Sequence, residues 1–156
     1  MPPARICRER PGISKFPPEA FGRALTEDLS FYMAHARLGA IARWAGNRDQ
    51  AIAEYELAVG LQPGDAALRH QYGEALLDAD RFADAETPLR EASRLEPYWA
   101  QPYFDLGRAL MGLEQPAEAL AAFESFLARC PRRLNVQAAR ARQLVKTVQE
   151  PLATSR

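Results

Sequence analysis

The chain has 156 residues, and its 20 basic and 20 acidic side chains balance to a formal charge of zero. This length fits one domain, and the balance excludes a nucleic-acid binder held by bulk electrostatics. No run approaches the roughly 18 apolar residues of a membrane span, and the opening Met1-Pro2-Pro3-Ala4-Arg5 stretch lacks an apolar secretory core, so a cytoplasmic protein is expected.

In chain order, residues 1–17 contain prolines and are basic, with Arg5, Arg8, Arg10 and Lys15 against Glu9, and read as a flexible arm. Pro17-Pro18 open a helix over 18–30, taken as an N-terminal cap. From residue 31 to 133 the chain repeats itself every 34 residues. Leu38-Gly39 recurs as Tyr72-Gly73 and Leu106-Gly107; Ala51 recurs as Ala85 and Ala119; Pro63 recurs as Pro97 and Pro131. The units are about 32–65, 66–99 and 100–133, each reading as helix A, a turn, helix B and a proline-marked turn. In the first, helix A runs to Ala45, the turn is Gly46-Asn47, and Pro63-Gly64 ends helix B before Asp65 caps the next helix. Glycine inside a helix costs about 1 kcal/mol relative to alanine. Gly39, Gly73 and Gly107 therefore mark a close crossing, expected to press helix B's backbone onto helix A, with Ala51, Ala85 and Ala119 opposite. Leu38, Tyr55, Tyr72, Leu76, Leu89, Tyr103, Leu106, Leu110 and Phe123 are the expected core. Pro88 sits inside a helix B, where a kink is expected. Residues 134–149 carry the register of one more helix A, a capping helix that Pro151 should stop, leaving 150–156 frayed. Cys7 and Cys130 form no recognisable framework.

These glycine, alanine and proline series, with Tyr55, Leu89 and Phe123 four residues after each alanine, resemble the tetratricopeptide repeat (TPR) family. The resemblance covers about Phe31 to Arg133 and implies an all-α fold. That fold is a right-handed α-solenoid of three TPR helical hairpins with an N-terminal helix and a C-terminal capping helix. There are departures: His35 and Arg69 stand where the family has an early aromatic, and Phe126 replaces the small residue kept at Ala58 and Ala92.

The resemblance also implies that the A helices line a concave groove for a protein or peptide partner. Projecting the register onto that face selects Met33, Arg37, Arg43 and Trp44 from the first unit, and His70, Gln71, Glu74 and Leu77 from the second. Gln101, Phe104, Asp105, Arg108 and Met111 come from the third, and Arg142 from the cap. Tyr98 and Trp99, in the turn between units, form a secondary patch, because such aromatics are enriched at binding hot spots. Co-chaperones of the family grip a peptide's C-terminal carboxylates with lysine, asparagine and arginine at set positions of the A helices. Here those positions hold Ala36, Ala40, Gln71, Gln101 and Asp105, and a carboxylate at Asp105 repels the ligand such a clamp would hold. Arg37, Arg43, Arg108 and Arg142 remain as cations for acidic side chains in another geometry.

The expected function is a non-catalytic interaction scaffold or adaptor. A small TPR-type secretion or assembly chaperone holding an extended client is the alternative, and self-assembly is a third. No enzyme, cofactor or metal is expected: His35 and His70 are the only histidines, and no metal-ligand spacing, phosphate loop or nucleophile motif occurs.

Overall fold

A computed structural model describes residues 18–130 and 135–154, with side chains from Phe31 to Cys130 and from Val136 to Gln149. The residues 1–17 arm and Pro131 lie outside this range. Among the described residues the chain is all helix: α1 (Pro18–Trp44), α2 (Arg48–Leu61), α3 (Ala66–Asp78), α4 (Phe82–Leu95), α5 (Gln101–Gly112), α6 (Pro116–Arg129) and α7 (Asn135–Thr154). The chain divides into two compact units, Met1–Phe31 and Tyr32–Arg156. In the second, each helix from α2 onward packs on its successor, and α3 also touches α5.

Two expected boundaries differ. The helix over 18–30 and the first helix A are a single helix, α1. No glycine or proline falls between Gly22 and Gly39, so nothing in that stretch breaks the ladder. Pro151 does not stop α7, which continues to Thr154; so close to the helix end the missing N–H removes a single backbone bond.

Every turn from an A helix into a B helix has one geometry. Gly46 (φ 80°), Asp80 (φ 57°) and Glu114 (φ 57°) adopt the left-handed conformation one repeat apart. The following amides donate back to Ala42, Leu76 and Leu110 at 2.8, 2.9 and 2.9 Å. This is the Schellman closure, which satisfies carbonyls the helix leaves open. Glycine takes that conformation freely, whereas aspartate and glutamate pay for it through their Cβ. At the other junction, Asp65 accepts bonds from the Ala67 and Leu68 amides at 2.8 and 3.1 Å, so its capping role holds.

The close crossings are present, but a different group fills them. A Cβ on Gly39 would meet the Tyr55 ring at 3.0 Å, one on Gly73 the Leu89 Cγ at 2.5 Å, and one on Gly107 the Phe123 ring at 2.6 Å. Each glycine is thus a socket for the large side chain sixteen residues on, not a bed for helix B's backbone. Tyr55, Leu89 and Phe123 are fully buried, as are Ala51, Ala85 and Ala119. Leu38 is not core: it is 44% exposed, and Ile41 is 62% exposed. Their register mates Leu106 and Ala109 are buried, Leu106 beside residues of α4. Among the described residues α1 is the first helix, and no element takes the place beside Leu38 that α4 takes beside Leu106.

Candidate partner-binding groove

The A-helix face is organised by two ionic clusters, each spanning neighbouring A helices. In the first, Arg43 donates from Nε to Asp78 at 2.5 Å and from Nη1 to Glu74 at 2.9 Å. In the second, the buried Asp105 holds His70 Nε2 at 2.8 Å, Arg108 Nη1 at 2.9 Å and Gln101 Nε2 at 3.3 Å. An ionised carboxylate only accepts, so His70 carries a proton on Nε2. Burial opposes the charge on Asp105, but the His70 hydrogen bond and the Arg108 guanidinium outweigh it and hold its pKa below the usual carboxylate range. The Trp99 ring meets His70 edge-on at 4.7 Å between centroids, which closes one side of the cluster.

His70, Glu74 and Asp105 place possible ligand atoms within 4.8 Å of one another. Both carboxylates already face an arginine, at 2.9 Å in each case. A metal ion would have to displace those charges, so the group is read as a hydrogen-bonded strut between α3 and α5.

Two depressions lie along α1 and α3 and share Ala40 and Gln71. One, of 310 Å³, is walled by Met33, Ala36, Arg37, Ala67 and Leu68. The next, of 460 Å³, is bordered by Arg43, Trp44, Glu74 and Asp78. Together they form a continuous groove with an aliphatic end and an ionic end.

The structure thus gathers Met33, Arg37, Arg43, Trp44, Gln71 and Glu74 around one groove. Trp44 is 92% exposed, at its ionic end. Four other candidates are corrected. Phe104, Leu77, His70 and Asp105 are buried and offer no surface to a partner. Phe104 packs on Phe126 and Phe123, with centroids at 5.1 and 5.8 Å, so the unusual Phe126 is its counterpart. Met111 is partly buried against the same core. Gln101 and Arg108 are committed to Asp105. Arg142 is exposed on α7 and lines neither depression. In the secondary patch Tyr98 is 92% exposed, but Trp99 turns inward onto His70.

The groove floor residue Leu68 and the His70–Asp105 pair were missed. A signal for the pair did exist. His70 and Asp105 are 35 residues apart, as are Arg43 and Asp78, so one repeat plus one residue is the diagonal on which adjacent A helices exchange charge.

Residues 100–132 match the family model for the tetratricopeptide repeat. The chain is 34% identical over 87 residues to the Hsp70-Hsp90 organizing protein of Triticum aestivum, covering 56% of this chain and 15% of that one. It therefore spans only a small part of that relative. Among solved structures, the first TPR of Spaghetti (RPAP3) bound to the HSP90 peptide SRMEEVD superposes with a TM-score of 0.71 at 22% identity, covering 80% of this chain and 94% of that one. PcrH in complex with the chaperone binding region of PopD gives 0.70 at 18% identity, over 75% and 90%. The same glycine socket, buried alanine and left-handed turn recur through all three hairpins, so the tetratricopeptide repeat matched at residues 100–132 is similar in build to the two hairpins before it.

Proposed function

We propose that this chain is a non-catalytic adaptor module that works in the cytoplasm and binds a peptide segment of a protein partner along the α1–α3 groove. The observation that carries this reading is the continuous depression from Met33 to Trp44, with apolar, cationic and hydrogen-bonding groups exposed on one face. The similar fold of Spaghetti (RPAP3) holds an HSP90 peptide, and that of PcrH holds the chaperone binding region of PopD. No helix among the described residues is long and apolar enough to cross a membrane.

The partner differs from an acidic C-terminus held by a carboxylate clamp. Asp105 stands at one of the clamp positions the resemblance implies, and it is buried and already bonded to His70 and Arg108. A secretion or assembly chaperone would use the same groove for an extended client. Affinity purification compares the wild-type chain with Met33→Glu/Trp44→Ala, whose side chains are exposed and whose fold is checked by circular dichroism. Loss of the captured partner from the folded variant is expected. An unchanged set of partners refutes the groove, and a client that aggregates once released identifies the chaperone form.

A further inference from the structure

The register offers four arginines to an acidic ligand, and the structure leaves one of them in the groove. Arg43 is bound to Glu74 and Asp78, and Arg108 to Asp105. Arg142 lies off the groove. Arg37 is exposed on the wall of the aliphatic depression, and among the described residues it makes no hydrogen bond or ion pair. The carboxylates nearby are bonded to groups other than Arg37. Glu74 and Asp78 neutralise Arg43, and Asp65, which lines the same depression, spends an oxygen on the Ala67 and Leu68 amides. Beside Arg37, Met33, Ala36, Ala40 and Leu68 supply an apolar recess with room for one aliphatic side chain.

The geometry points to a ligand class for this groove: an internal segment of a partner protein in which an aliphatic residue stands next to an acidic one. The aliphatic side chain fills the recess and the carboxylate pairs with Arg37. Gln71, half-buried where the two depressions meet, offers both a donor and an acceptor to the segment's backbone. No C-terminal carboxylate takes part. This assignment rests on the groove reading above and adds the charge and chain position of the ligand.

The test uses fluorescein-labelled twelve-residue peptides with Leu-Glu, Leu-Gln or Leu-Lys at the centre, each with a free-acid and an amidated C-terminus. Anisotropy titrations are run against the full chain and its Arg37→Glu and Arg37→Lys variants. The Leu-Glu peptide should bind about fivefold more tightly than Leu-Lys, the size of one exposed ion pair. Arg37→Glu should reverse that order, Arg37→Lys should keep it, and amidation should leave affinities unchanged. If peptides bind but the order survives Arg37→Glu, or if amidation abolishes binding, the Arg37 assignment is overturned while the groove stands. If no peptide binds the wild-type chain, the groove reading fails and the assignment fails with it.

Discussion

Alanine at the three socket glycines separates packing from helix propensity. Each replacement gains about 1 kcal/mol of propensity, because alanine loses less backbone entropy than glycine. What differs is the space. At Gly39 the added carbon meets the Tyr55 ring at 3.0 Å, which a shift of a few tenths of an ångström relieves. At Gly107 it falls 2.6 Å from Phe123, a ring with no exposed surface and Phe104 against it. Overpacking of a closed core costs about 1–3 kcal/mol. Gly39→Ala should therefore be as stable as the wild type or slightly more so, and Gly107→Ala should lie about 1–3 kcal/mol below Gly39→Ala. Since propensity cancels between the two, that gap is the packing term. Urea unfolding followed by far-ultraviolet circular dichroism measures it, provided the slope is unchanged. Adding Phe123→Leu should recover part of the Gly107→Ala loss, as contacting pairs couple. Equal stability for the two alanine variants, or a more stable Gly107→Ala, would refute the socket.

Three further outcomes follow from the geometry. Asp80→Gly and Glu114→Gly should each stabilise the chain by about 0.5–1 kcal/mol in the same urea titrations, because glycine adopts the left-handed turn without a Cβ clash. Asp105→Asn should cost about 1–3 kcal/mol at neutral pH by weakening the bonds to His70 and Arg108. The folded pKa of Asp105 is depressed, so its contribution is complete above the ordinary carboxylate range and fades as the pH falls below about 4, and the gap between variant and wild type should close there. Phe104→Ala should lose about 3–5 kcal/mol as a cavity mutant, whereas Trp44→Ala should stay within about 0.5 kcal/mol of wild type; thermal melts decide whether a binding defect at either site is merely unfolding.

The period made the hairpins readable, because Gly39, Gly73 and Gly107 and the alanines report geometry that only small residues tolerate. It also assigned each residue to a helix face. Whether a face is covered depends on the bulk around it, and there the register misled. Phe104 shares its position with Ala36 and His70, and Phe126 shares its own with Ala58 and Ala92. Both oversized residues fall in the third hairpin and fill one another's space, a pairing that can be read only when the two departures are taken together. Leu38 failed for the opposite reason, since its position becomes core only when another hairpin stands in front of it. The left-handed turns were legible at Gly46 and hidden at Asp80 and Glu114, where hydrogen bonding imposes a conformation the side chain resists.

The sixteen-residue reach of each socket has a kinetic consequence. Tyr55 finds Gly39, and Phe123 finds Gly107, by closing a loop hardly longer than a helix, while the charge diagonals close loops of 35 residues. Such low contact order makes chain search inexpensive in entropy. Any of the three hairpins can serve as the folding nucleus, with its neighbours adding in either direction, so a slow-folding variant should arise from a damaged socket rather than from a lost inter-repeat ion pair.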